Sequence, residues 1–255
     1  MVRVYPLVRP YSDDRFSVQA LSAILRRKRL VFESPQWKLI PWREISKDLK
    51  DILVDTLVDM PGLVQDFDEI KLCPDTNRQQ VLRQQLEDRC WEYDRQLLGW
   101  LAKLQEILGP LQRPPSGGPR DIVTHIAQVH GMSLFWTTSL VLYSILHAVS
   151  ESDDSLPERT DPVKYARCLV DAISTLLQPS AGLYGTQSAV LLLEIALSFI
   201  PIINSMGNSI QPLLNTLTGL KHNWVNGLVY AGNNEATSGG PTPRPVPHPV
   251  PPCGH

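Results

Sequence analysis

From Asp121 to Pro201 three strongly apolar segments follow one another, separated only by short polar connections. The first runs from Asp121 to Val149 and holds FWTTSLVLYSILHAV from Phe135. The second, VKYARCLVDAISTLL, opens behind Asp161-Pro162, and the third, SAVLLLEIALSFI from Ser188, opens behind Gly182-Leu183-Tyr184-Gly185. Helices that are apolar around most of their circumference persist in water only by hiding against one another. No catalytic or phosphate-binding motif interrupts them, so a helical core is expected here rather than chemistry.

Met132–Val149 and Ala189–Ile203 approach the composition of membrane spans, which need about 20 mostly apolar residues. The first carries Thr137, Thr138, Ser139, Ser144 and His147, and the second is shorter and carries Glu194. A carboxylate is costly at mid-bilayer. Both are read as core helices, and no membrane association is expected.

Upstream the apolar period is equally plain. Leu82, Leu86, Cys90, Tyr93, Leu97, Leu101, Leu104 and Leu108 lie 4, 4, 3, 4, 4, 3 and 4 residues apart, with polar residues such as Arg83, Glu87 and Arg95 between them. That spacing predicts an amphipathic helix from Asn77 to Leu108. It would be about 48 Å long at 1.5 Å per residue. A coiled-coil dimer could use such a stripe, but the apolar helices downstream need a partner, so packing within the chain is expected.

Val18, Leu21, Ala23, Ile24 and Leu25 mark a helix between Phe16 and Val31 that runs into Arg26-Arg27-Lys28-Arg29. Such a run can serve as a nuclear localisation signal. The plainer reading is a solvated helix end whose cations meet the negative pole of the dipole. Pro35 and Pro41 then forbid a continuous helix, and Trp37 and Trp42 are expected to pack on the core. Leu49, Ile52, Leu53 and Leu57, then Leu63, Val64, Phe67 and Ile70, predict two helices meeting at Asp59-Met60-Pro61.

PLQRPPSGGP, from Pro110 to Pro119, breaks regular structure and places a seam at 110–119. Asp161 before Pro162 predicts a capped helix start. Thr186 is expected to cap the next helix, Pro201 and Gly207 to end it, and Leu213 to Tyr230 to form short terminal helices. From Asn233 the chain reads NNEATSGGPTPRPVPHPVPPCGH, with little apolar content and no period. It is expected to be disordered with polyproline II character. An inert tail is the plainer reading, and docking into an aromatic groove is the alternative. The expected fold is therefore all-α: a multi-helix, orthogonally packed domain over residues 1–232, with a disordered Pro-rich tail over 233–255.

Twenty-four basic residues against 26 acidic ones leave a net charge of −2. A domain that grips duplex DNA alone shows a basic face, and no such excess exists. Cys73, Cys90, Cys168 and Cys253 are too scattered for a zinc site of closely spaced ligands. His125 and His130 are five residues apart and do not share a helix face as a metal pair would. His147 reads as a hydrogen-bonded core residue, and Glu194 as an acid that pairs with a base in the core or lines a cavity. The helix N-terminus after Gly185 could hold an anion but lacks supporting basic residues. Asp153-Asp154 is similar to the magnesium site of helical isoprenoid enzymes, without the second acidic cluster such a site needs.

Taken in order, several of these words carry a resemblance. The aromatic-rich helix, Leu156-Pro157, Asp161-Pro162 with Tyr165-Ala166, and Gly182-x-x-Gly185 opening a leucine-rich helix resemble the C-terminal regulatory domain of fungal transcription factors of the zinc binuclear (six-cysteine) cluster class. Pro35-Gln36-Trp37-Lys38-Leu39-Ile40-Pro41-Trp42 is similar to that family's Pro-x-Trp-x-x-x-Pro-Trp segment. Leu57 to Leu63 is similar to its Leu-Pro-x-Leu junction, and Leu97 to Leu101 with Trp100 to its Leu-x-x-Trp stretch. The likeness covers residues 16–228.

The resemblance implies a nuclear domain that regulates transcription and is not an enzyme, with no catalytic, cofactor-binding or metal-binding residues. It would act through protein partners of the transcription machinery, self-association or a small-molecule effector, without binding nucleic acid itself. The family's six-cysteine cluster is absent from these residues, which fits a truncated zinc-cluster protein or a stand-alone paralogue. A magnesium-dependent isoprenoid-type enzyme and a helical membrane protein are the alternatives from other classes.

Overall fold

A computed structural model describes residues 15–44, 46–108, 119–150, 156–204 and 210–223. They are helical, with no strand among the described residues, as the apolar periods require. In chain order the helices are α1 (Arg15–Arg26), the short α2 (Pro35–Leu39), α3 (Leu49–Leu57), α4 (Met60–Leu72), α5 (Thr76–Leu108), α6 (Pro119–Val149), α7 (Pro162–Leu176), α8 (Gly182–Asn204) and α9 (residues 211–223). Residues 110–118 of the expected seam and the expected tail, 233–255, lie outside the described residues, while Pro119, read as part of the seam, opens α6 instead.

A long, strongly apolar helix organises the rest. α6 packs against α3, α4, α5, α7 and α8, and α1 packs against α8. Leu134, Leu140, Val141, Leu142, Ile145 and Leu146 of α6 are completely enclosed. A helix buried on all sides needs no polar face, which is why its sequence lacks one. The resulting apolar cluster is continuous from Ala20 to Leu217 and draws on helices from both sides of residues 109–118. The stripe of α5 is spent on this cluster: Leu86, Cys90, Leu97, Trp100 and Leu104 are buried within the same chain.

Local signals set the helix ends. Asp48 and Asp51 form a capping box at the start of α3, each carboxylate accepting from the other's backbone N–H. Pro61 sits in the first turn of α4, and Asp161 caps α7 by accepting from the Val163 N–H at 2.9 Å. α1 stops at Arg26, short of Val31. Arg27 adopts φ +55, and the N–H groups of Arg27 and Lys28 donate to the carbonyls of Ile24 and Ala23. That is a Schellman ending, built on an arginine where glycine is usual.

Two expectations about α8 fail. Thr186 does not cap it: the helix opens at Gly182, and the Thr186 hydroxyl donates back to the Gly182 carbonyl from inside the first turn. Gly182 can make that start because it adopts φ +63. Nor does Pro201 end the helix, which continues to Asn204. So close to the C-terminus, proline removes only the hydrogen bond that would reach the Leu197 carbonyl.

Candidate interaction site

Trp37 and Trp42 do not join the core. The single-turn α2 between two prolines is too short to aim both rings inward. Trp37 is 46% exposed, and its neighbours Leu39 and Ile40 are 65% and 52% exposed. Instead the segment lays its rings along a groove walled by Phe16, Phe32, Trp37, Pro41, Trp42 and Val54. Phe32 meets Phe16 edge-on at 5.0 Å and Trp37 edge-on at 5.2 Å, the geometry aromatic quadrupoles favour. The Lys47 ammonium lies 5.5 Å from the Trp42 ring. Asp48, Asp51 and Asp55 line the same groove from α3 and its cap. Its enclosed volume is about 80 Å³.

A wider, polar depression of about 420 Å³ adjoins it, sharing Lys38 and Asp55. Its charges are spent on each other. Lys38 reaches both oxygens of Asp59 at 2.5 Å, Lys47 pairs with Asp55, and Arg89 pairs with Asp66. Asp59 is only 5% exposed. Burial pushes its carboxyl above the ordinary carboxylate range, against the opposing pull of Lys38 and Tyr93. The Tyr93 phenol is pushed up by burial and then by Asp59. This network anchors α2 to the α3–α4 junction and so holds the groove wall in place.

A second polar constellation lies inside the bundle. Asp94, 2% exposed, faces α6 from the middle of α5. It accepts from the Tyr143 hydroxyl at 2.9 Å and from the Arg159 guanidinium at 2.9 Å. Tyr165 donates to the Arg159 carbonyl at 2.7 Å. The Asp94 bond raises the Arg159 pKa, and burial raises that of Tyr143. Trp100 stacks on Phe135 at 5.2 Å, and its indole N–H donates to the Leu49 carbonyl at 2.6 Å. All these groups are satisfied by one another, so the cluster reads as a structural staple. The α5 period could have flagged Asp94, since Cys90, Asp94, Leu97 and Leu101 follow 4, 3, 4 spacing.

The remaining sequence candidates are scattered. His147 Nε2 lies 3.1 Å from the Thr160 carbonyl, and His130 is buried. Glu194 pairs with Lys221 at 2.7 Å, but between half-exposed side chains at the α8–α9 contact, not in the core. Arg27 and Arg29 of the basic run are bound to Asp68 and Asp66. Buried Cys90 has its thiol pushed up to about 12 by desolvation. Cys253, Asp153 and Asp154 lie outside the described residues. Among the described residues no group of three or more His, Cys, Asp or Glu is placed to hold a metal ion. His125–Val149 and Gly185–Asn204 are long and apolar enough to cross a membrane, with 78% and 50% of their apolar windows buried by other parts of the chain.

Gly185, the second glycine of the Gly182-x-x-Gly185 turn, serves packing. A Cβ there would stand 2.4 Å from the Ala181 Cβ and 2.8 Å from the Leu176 carbonyl oxygen, so the end of α7 and the start of α8 approach through it. No protein-family model, curated protein or solved structure matches the chain.

Proposed function

We propose that this chain is a non-catalytic helical regulatory domain of the fungal zinc-cluster transcription-factor type, acting in the nucleus through protein contacts at the aromatic groove. One observation carries the reading. The Pro-x-Trp-x-x-x-Pro-Trp segment that bears the resemblance stays out of the core cluster, exposes Trp37, Leu39 and Ile40, and lines a groove with Trp37 and the half-buried Trp42. Exposed aromatic and aliphatic side chains gathered at one place mark interaction surfaces.

The groove's volume supports one kind of partner over the other. Small-molecule sites typically enclose about 300–1,000 Å³, and the groove encloses about 80 Å³. A protein segment that inserts a few side chains fits that space better than a buried effector. The net charge of −2 supports contacts with protein rather than with the DNA backbone.

The test fuses the full chain to an unrelated DNA-binding module and measures reporter output. Activation or repression that is lost in a Trp37→Ser, Trp42→Ser double variant of unchanged helicity supports the reading. Output equal to that of the module alone overturns it.

A further inference from the structure

We infer that the half-open face of α8 is a docking surface for the chain's own residues Trp224 to Leu228, which close it against bilayers and second copies. The face is apolar and incompletely covered. Val190, Leu191 and Leu197 are half-buried, and 50% of the apolar window of α8 is buried, against 78% of that of α6. No residue that walls the aromatic groove belongs to this surface.

Two contacts set how α9 lies on the bundle. At its start, Ile210, Leu213 and Thr216 line one depression with Val163 and Arg167 of α7. Towards its end, the Lys221 ammonium meets the Glu194 carboxylate of α8 at 2.7 Å. Glu194 lies ten residues before the last residue of α8, since 204 − 194 = 10. Lys221 lies ten residues after the first of α9, since 221 − 211 = 10. At 1.5 Å per residue both are about 15 Å from the turn between the helices. The two helices therefore run antiparallel in a set register. Each step forward along α9 is a step back along α8, so Trp224 comes opposite Leu191, three residues beyond the ion pair on either side. Val225 comes opposite Val190, and Leu228 opposite Gln187.

The residues due at those positions have the right character. Leu213, Leu217, Leu220, Trp224 and Leu228 lie 4, 3, 4 and 4 residues apart. The first three pack on the core, so the stripe that seats α9 runs on past Asn223 without a break. Gly227 weakens such a helix, but the surface a tryptophan buries, about 150–250 Å², outweighs one glycine. The other occupants fit less well. A bilayer would have to accommodate the Glu194–Lys221 pair. A second copy would compete with a segment tethered next to an existing contact, where the effective concentration is millimolar or higher.

A nitroxide attached through Gln187→Cys tests this by NMR in the full chain, with Cys73→Ser, Cys168→Ser and Cys253→Ser removing the other thiols outside the core. The Trp224 indole N–H signal, assigned by its loss in Trp224→Phe, is expected to broaden beyond detection and to return when ascorbate reduces the label. Leu228→Ser, a change in the segment itself, should restore most of the signal while the Trp100 and Trp136 indoles keep their positions. A Trp224 signal that never broadens overturns the inference, as does broadening that Leu228→Ser leaves untouched. Broadening of an isotope-labelled, nitroxide-free chain by a nitroxide-bearing one would assign the face to a second copy. Flotation of the unlabelled chain with phosphatidylcholine vesicles would assign it to a bilayer. Either result overturns the inference too.

Discussion

Asp94 and Arg159, 65 positions apart, meet at 2.9 Å where the turn before α7 closes over the middle of α5. The carboxylate is enclosed and the guanidinium half exposed, with side-chain exposures of 3% and 43%. The Tyr143 hydroxyl completes the contact from α6. One buried acid thereby ties three elements together.

Removing that acid's charge should therefore be felt across the bundle. Asp94→Asn is expected to cost roughly 2 kcal/mol, because a charge-assisted hydrogen bond is weakened and part of the buried donor set loses its partner. Arg159→Ala should cost a similar amount by stranding the carboxylate, less whatever solvent recovers at the exposed guanidinium. The double variant should fall short of the sum, since the two act on one interaction. Urea unfolding of the three variants measures this, and additive losses would contradict it.

The two glycines of the α8 turn should resist substitution for different reasons. Gly185→Ala drives a methyl into the Ala181 side chain and the Leu176 carbonyl, an overpacking cost of about 1–3 kcal/mol. Gly182→Ala meets no atom within 4 Å but must hold φ +63 with ψ −167, a region almost confined to glycine that costs a side chain about 1–3 kcal/mol. Thermal unfolding should show both variants destabilised, and a Gly182→Ala melting temperature equal to the parent's would contradict the backbone argument.

Two substitutions should be harmless or better. The Ser139 and Ser144 hydroxyls are buried in α6 with no hydrogen-bond partner. Replacing either with alanine removes an unsatisfied polar group, so stability should stay level or rise by up to about 1 kcal/mol. A clear loss in denaturant midpoint would show that these hydroxyls carry a role the packing does not reveal.

Asp59 should give the fold a pH signature. Its folded-state pKa lies above the ordinary 3.8, so the folded chain holds this proton more tightly than the unfolded chain. The resulting stabilisation is present in acid and is lost as pH rises through the folded-state value. Stability of the parent relative to Asp59→Asn should therefore decline with rising pH in a window that opens near 3.8. A difference that grows with pH across that window would contradict the assignment.

The helices themselves were legible in the sequence. The 4, 4, 3 spacing of α5, the Asp161-Pro162 start and the proline at the α4 junction act over one or two turns, and each appears where it was read. The Thr186 and Pro201 readings failed for a matching reason. Both residues carry strong average preferences, yet Gly182 offered an earlier start and proline in a last turn forfeits little.

Burial was another matter, because it depends on partners far away in the chain. Sequence by itself determined that the described residues are helical, where their long helices lie, and that the stretch from α6 to α8 supplies much of the core. Only the tertiary structure decided that Asp94 faces inward, since Arg159 and Tyr143 arrive from other elements to compensate its desolvation. It also decided that Trp37 and Trp42 wall a groove: apolar area favours burial of any tryptophan, but a one-turn helix between prolines cannot bring them to a core that α5 and α6 already fill.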